Sequence, residues 1–174
     1  AERIARAAPI EALLQQHLKD VDEILCGAWR LCIDAQHDVA LIATGGYGRG
    51  ELYPHSDIDL LICADEASQV RLEPAFSQFF SLLWDSGFKL SQAVRSVPQC
   101  LDASQQDVAT FTALLETRYL AGDNDVYQSL KQAVLSPDVY SAADFFEAKR
   151  AEQQQRHAKF HHTADNLEPN LKEG

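Results

Sequence analysis

One stretch limits this chain more than any other: a strand-length apolar run that ends in a cluster of glycines, followed closely by a second strand that opens on two acids. Val39-Ala40-Leu41-Ile42-Ala43 is continuous and apolar, as suits a strand covered on both faces. Gly45-Gly46-Tyr47-Gly48-Arg49-Gly50 follows at once, and the turn-forming Tyr53-Pro54-His55-Ser56-Asp57 leads into a second strand, Ile58-Asp59-Leu60-Leu61-Ile62-Cys63. Glycines crowded behind a strand mean that the backbone passes close to something, adopts positive φ, or both.

Two phosphate-binding schemes fail here. Counting a dinucleotide fingerprint from Gly46 puts Glu51 where the third glycine belongs, and a P-loop from Gly45 to Gly50 puts the same Glu51 where its lysine belongs. What remains is a Gly-Gly turn with Asp57 eleven residues after Gly46, and Asp59 on the same face of the strand as Asp57. Neighbouring carboxylates repel unless a cation lies between them, and an oxygen-only donor set selects a hard ion, Mg²⁺. Glycine amides for a triphosphate and an Asp-x-Asp pair for magnesium describe a nucleotidyl-transfer site. The plainer reading is a tight turn beside a solvated strand end. The joint occurrence of both motifs in one strand-turn-strand unit favours the site.

Around this unit the chain reads as helices. Ile10, Leu13, Leu14, Leu18, Val21, Ile24, Leu25, Ala28, Leu31 and Cys32 carry the three-and-four spacing of one long amphipathic helix. Ser68 to Ser86 predicts a second, with Val70, Leu72, Phe76, Phe79, Phe80, Leu83 and Trp84 on its apolar side and Gly87 as its stop. Phe88 to Arg95 alternates as a third strand. From Asp107 the pattern is helical through Phe111, Leu114, Leu115, Arg118 and Tyr119, then over Val126 to Leu135, then over a charged stretch from Ala142 to His161. The fold class expected is α+β, or α/β-like: a small mixed sheet flanked by helices, with a helical C-terminal half. Residues 1–122 form the expected core with its N-terminal helix, 123–162 a helical region packed on it, and 163–174, which holds Pro169, a linker or tail.

With 174 residues and a 46% hydrophobic fraction, the chain can bury a real core. No apolar run nears the ~20 residues of a membrane span, and no secretory leader opens the sequence, which points to a cytoplasmic protein without a membrane partner. A net charge of −11 with no basic cluster argues against a nucleic-acid partner. Cys26, Cys32, Cys63 and Cys100 form no CxxC pair and read as reduced, mostly buried thiols. The absence of Met points to a chain trimmed from a longer protein.

The residues from Gly45 to Ile62 resemble the core motif of DNA polymerase β-type nucleotidyltransferases, in the version found in bacterial PII uridylyltransferases (uridylyl-removing enzymes). The resemblance extends to Val94-Arg95-Ser96, to Asp107, Thr112, Leu114-Leu115-Glu116 and Arg118, to Phe145-Phe146-Glu147-Ala148-Lys149-Arg150, and to the run from Asn166 to Gly174. It implies a polymerase-β-type fold and an Mg²⁺-dependent enzyme that moves UMP from UTP to a tyrosine of the nitrogen-signalling PII protein, releasing pyrophosphate. It also implies an HD hydrolase domain and paired ACT domains further along a longer chain, which this sequence lacks.

Carried over by position, the resemblance makes Asp57 and Asp59 the metal ligands. Gly45, Gly46 and Ser56 become donors to the β- and γ-phosphates. Arg49 either neutralises phosphate charge or positions the turn, or else is a surface arginine paired with Glu51. Thr112, Glu116 and Arg118, taken as one helix, either touch the nucleotide or serve in packing. A third carboxylate, usual on a later strand of this superfamily, is missing from Phe88 to Arg95, where Ser91-Gln92-Ala93 replaces the family's Gly-His-Ser; Asp107 is the nearest substitute. His161 and His162 read as an exposed helix end. Two rivals stand beside the enzyme: a nucleotide-binding regulatory module without turnover, and a nucleotidyltransferase with another acceptor, such as an aminoglycoside or a tRNA end.

Overall fold

A computed structural model describes residues 10–33, 38–53, 55–136, 139 and 142–159. His161, His162 and the expected tail, with Asn166, Glu168, Asn170 and Lys172, lie outside the described residues. The elements run α1 (Ile10–Cys32), β1 (Val39–Ala43), α2 (Gly45–Gly48), β2 (Ile58–Ala64), α3 (Glu66–Asp85), β3 (Leu90–Arg95), α4 (Val97–Gln106), α5 (Val108–Leu115), β4 (Arg118–Gly122), α6 (Asn124–Val134) and α7 (Ala142–Lys159). Contacts divide the chain into one compact unit from Ala1 to Val139, which includes α6, and another from Tyr140 to Gly174, which holds α7.

The first unit is mixed α+β, built on a four-stranded sheet of order β3-β2-β1-β4. β1 pairs antiparallel with both β2 and β4, while β2 and β3 are parallel, with α3 as the crossover that a parallel pair requires. All five residues of β1 are buried, as its unbroken apolar run demands. On one face Val39, Leu41, Ala43, Ile58, Leu60 and Ile62 join Val21, Leu25, Trp29, Phe76, Phe79 and Phe80 of α1 and α3 in a single core, with the Trp29 and Phe79 rings edge to face at 5.5 Å. Helices α4 and α6 pack on the other side, against β3 and against β1 and β2 respectively.

Side-chain caps mark where the helices start. Asp65 accepts from the Ser68 amide, Ser96 forms a capping box with Gln99, Asp107 accepts from Ala109 and Thr110, and Asp123 accepts from Asp125. Gly87, at φ +86°, closes α3: its amide donates to the Trp84 carbonyl and the Phe88 amide to the Leu83 carbonyl. Phe88 is thereby held in the helix stop, and β3 begins two residues later than alternation suggests.

Two expectations are corrected. The helical pattern read through Arg118 and Tyr119 breaks after Leu115; Glu116 is the C-cap, and Arg118 opens β4 at the sheet edge. Pairing with β1 overrides a local spacing that suits a helix. The apolar stripes were also drawn too wide. Val70 is 80% exposed and Leu31 81%, because each lies beyond the arc of its helix that meets the sheet. Of the cysteines, all free, Cys63 and Cys100 are buried while Cys26 and Cys32 are only half-buried. Burial pushes the Cys63 thiol up to about 12 and Cys100 to about 11.

Replacing Phe79, which has no exposed surface, by Ala should lower unfolding free energy by about 3–5 kcal/mol. Val70→Ser should stay within about 0.5 kcal/mol. Urea denaturation of the two variants checks both.

Candidate active site

The sheet topology gathers four chain segments at one end. β1 finishes there at Ala43, opposite Leu60 of β2 and Arg118 of β4, and the parallel pair begins there with Ile58 beside Leu90. The glycine turn, Asp57, Asp59, Ser91 and Arg118 therefore meet at one end of the sheet although they span residues 45 to 118. Antiparallel pairing joins the turn to the acids directly: the Thr44 amide donates to the Asp59 carbonyl at 3.0 Å.

The glycines fold into α2, a single helical turn. Gly48, Arg49, Gly50 and Glu51 donate to the carbonyls of Thr44, Gly45, Tyr47 and Gly46. The amides of Gly45, Gly46 and Tyr47 precede the first of these bonds and have no carbonyl within the turn to serve, so they are available to an anion. Gly45, at φ +57°, is required twice over: the conformation suits glycine, and a Cβ there would lie 3.1 Å from Asp59 Oδ2. Gly46 has ordinary space around it, and Gly48 has none, since a Cβ would stand 1.8 Å from the Glu116 carbonyl oxygen. Gly48 is where the turn packs on the C-cap of α5.

Asp57 is exposed and Asp59 half-buried. A reverse turn in which the Ser56 amide donates to the Tyr53 carbonyl, with His55 at φ +73°, delivers Ser56 and Asp57 to the start of β2. Desolvation by burial holds the Asp59 carboxyl above its ordinary value and the neighbouring Asp57 carboxylate adds to the rise, while a hydrogen bond from Ser91, its register partner on β3, offsets part of it. Ser91 thus sits on the strand where a third acid was sought, and it serves Asp59 as a neutral donor. Asp107 is occupied elsewhere, as the cap of α5. Among the described residues no group of three His, Cys, Asp or Glu side chains is placed to hold a metal ion. The pair Asp57 and Asp59 is nevertheless a fitting donor set for Mg²⁺, which takes one or two carboxylates and completes its shell from phosphates and water.

The remaining candidates are placed as follows. Arg49 bridges two acids, Glu51 at 2.7 Å and Glu116, and so ties the turn to the end of α5. Its pairing with Glu51 is the alternative that the sequence had left open. The Thr112 hydroxyl donates to the Val108 carbonyl within α5. Arg118, on a strand rather than a helix, makes a two-pronged contact with Asp22 of α1 at 2.6 and 3.1 Å. Tyr47 is 1% exposed and donates its hydroxyl to the same Asp22 at 2.5 Å. Sequence reasoning overlooked Asp22, although an acid between Leu18 and Leu25 on the apolar stripe of α1 was a visible signal.

Carbon-detected NMR titration of the cation-free chain should show Asp59 titrating above the ordinary 3.8, lower in Asp57→Asn and higher in Ser91→Ala, because the first change removes a like charge and the second a hydrogen bond to the ionised form. Gly48→Ala should cost about 1–3 kcal/mol in denaturant unfolding, since the clash is with backbone that must move.

Comparison with known proteins shows what the chain is similar to. The family model described as GlnD PII-uridylyltransferase matches residues 144–174. Over 173 residues, 99% of this chain, the sequence is 44% identical to the bifunctional uridylyltransferase/uridylyl-removing enzymes of Xanthomonas euvesicatoria pv. vesicatoria and Xanthomonas axonopodis pv. citri. It is equally similar over 172 residues to that of Stutzerimonas stutzeri. The chain spans about a fifth of the length of these relatives, 20% of the first two and 19% of the third. A crystal structure of a toxin-antitoxin with AMP-PNP aligns with 82% of this chain and 97% of that one at 14% identity and a TM-score of 0.38, too slight a likeness to bear on the assignment. With 44% identity over 99% of its length and the family model matching its last 31 residues, the chain is similar to one part of the bifunctional uridylyltransferase/uridylyl-removing enzymes.

Proposed function

We propose that this chain is a nucleotidyltransferase unit that moves UMP from UTP to a tyrosine hydroxyl of the PII signal-transduction protein, releasing pyrophosphate, in the cytoplasm and with Mg²⁺. The observation that carries the reading is the contact between Gly45 and Asp59. The space where a Cβ would stand is 3.1 Å from an Asp59 carboxylate oxygen, which supports reading the glycine amides and the acid pair as parts of one site.

In this mechanism Asp57 and Asp59 hold the ion, which when bound offsets phosphate charge and polarises the attacking hydroxyl. The amides of Gly45, Gly46 and Tyr47 and the hydroxyl of Ser56 donate to the β- and γ-phosphate oxygens. The burial of Asp59 lowers the local dielectric and strengthens its hold on a cation. The acceptor tyrosine oxygen forms its bond to the α-phosphorus as the bond to the β-phosphate oxygen breaks; pyrophosphate leaves and the phenolic proton passes to solvent. Arg49 and Arg118 act by holding the turn, since both guanidinium groups are committed to carboxylates.

A regulatory module that binds nucleotide without turnover is the second reading. It is favoured by one observation, the neutral Ser91 facing Asp59 where a third acid would stand.

Incubation with labelled UTP, Mg²⁺ and PII protein separates the two. Label is expected on PII and should fall more than about a hundredfold in Asp57→Ala and in Asp59→Ala, because loss of mere outer partners of a metal site already costs about 10–100-fold. Binding of UTP without label on PII would favour the regulatory module, and undiminished labelling by both variants would remove the metal pair. Gly46→Ala, which has room for its methyl, should keep its unfolding midpoint while UTP affinity drops about tenfold or more.

A further inference from the structure

A glycine-rich turn is the least ordered way to present phosphate-binding amides, because glycine loses more backbone freedom on folding than any other residue. In α2 the residues are Gly45, Gly46, Tyr47 and Gly48, so Tyr47 is the single side chain by which the turn can be gripped. It is gripped in three places. Its hydroxyl donates to Asp22 Oδ1 at 2.5 Å, its ring lies under the Arg118 guanidinium at 5.2 Å, and its carbonyl accepts from Arg118 Nη2 at 3.3 Å. Arg118 is oriented in turn by Asp22, which accepts from Nη1 and Nη2. Asp22 is therefore common to both holds: one carboxylate on α1, 25 residues before Tyr47 and 96 before Arg118, receives the phenol and the guanidinium together.

The surroundings strengthen the arrangement. The pair of Arg118 with Asp22 is about three-quarters buried, where charge-assisted hydrogen bonds are stronger than at the open surface. Tyr47 sits within the core shared by α1 and α3, and its phenol is held protonated, as a donor, by burial and by the Asp22 carboxylate. At Gly45 the same turn approaches Asp59, whose Oδ2 lies 3.1 Å from where a Cβ would stand.

We infer that Asp22 is a positioning residue for nucleotide binding: through Tyr47 and Arg118 it fixes the turn so that the Gly45, Gly46 and Tyr47 amides point at the triphosphate. The N-terminal helix is then a working part of the site rather than a packing element. The inference rests on the proposed function for what the turn binds, but the hold on the turn itself is independent of any nucleotide.

The test has two arms, run on the whole 174-residue chain. Hydrogen exchange of the Gly48, Arg49, Gly50 and Glu51 amides, which close the turn, should speed about tenfold or more in Asp22→Asn and in Tyr47→Phe, with the amides of β1 unchanged. Unchanged exchange in the turn, or acceleration shared equally by β1, would overturn the inference. Titration with UTP and Mg²⁺ should then give a dissociation constant raised about tenfold by Tyr47→Phe, at least as much by Asp22→Asn, and no further by both together than by Asp22→Asn alone, since Asp22 receives both the phenol and Arg118. Leu83→Val, in the same core but on α3, should lower the unfolding midpoint and leave that constant alone. A loosened turn with wild-type affinity would also defeat the inference. A wild-type chain that bound no UTP would instead defeat the proposed function, leaving hydrogen exchange to decide whether Asp22 holds the turn.

Discussion

The contact on which the site depends is between an atom that is absent and one that is charged. Gly45 has no Cβ, and the place where one would stand is filled almost to contact by an Asp59 carboxylate oxygen. That approach is fixed by the sheet, because antiparallel pairing carries the end of β1 past the start of β2 and the Thr44 amide bonds the Asp59 carbonyl. Once the register is set, the turn and the acids are adjacent with no further choice. The register itself is secured by burial. The apolar residues of β1 and β2 are covered, and a slip by one residue would exchange the face that carries Asp59 for the face that carries Ile58 and Leu60.

Much of this was legible along the chain, for reasons that differ by element. β1 and β2 announced themselves because a continuous apolar run bounded by glycines and turn residues has few other uses. The long helix α1 was legible from its period. β4 was not. Its five residues follow α5 at a spacing that a helix would also satisfy, and what makes them a strand is an edge of β1 some eighty residues earlier in the chain, which no local pattern reports. Arg118, read as either a nucleotide contact or a packing residue, was placed on a helix rather than a strand for the same reason. Only the fold brings it to Asp22 and Tyr47.

The two arginines near the site show why cationic residues around a phosphate motif need their partners identified before a role is assigned. Arg49 and Arg118 both belong to the right neighbourhood, and in a chain of net charge −11 both find carboxylates first. Each pair does mechanical work. Arg49 links the turn to Glu116 at the end of α5, and Arg118 links it to α1, so the same single helical turn is braced from two elements that enclose it. Gly48 completes the bracing by backbone contact with Glu116. The turn is composed of the most permissive residue and is held from outside.

This commitment of the arginines bears on the electrostatics of the proposed reaction. A nucleoside triphosphate is strongly anionic, and it would approach a protein that is itself acidic, at a point where Asp57 and Asp59 add two more negative charges. With both guanidinium groups neutralised by acids, side-chain cations contribute little attraction there, and three backbone amides supply partial charges only. On the proposed reading the balance must come from a divalent ion, which removes the repulsion within the acid pair and the repulsion between the pair and the phosphates in one step. Affinity for the nucleotide and affinity for the ion are then linked: each is weak without the other, and the burial of Asp59 makes the linkage steeper because a half-buried carboxylate gains more from a cation than a solvated one. On that reading the acidity of the chain would act at this end of the sheet as a selection for metal-bound phosphate.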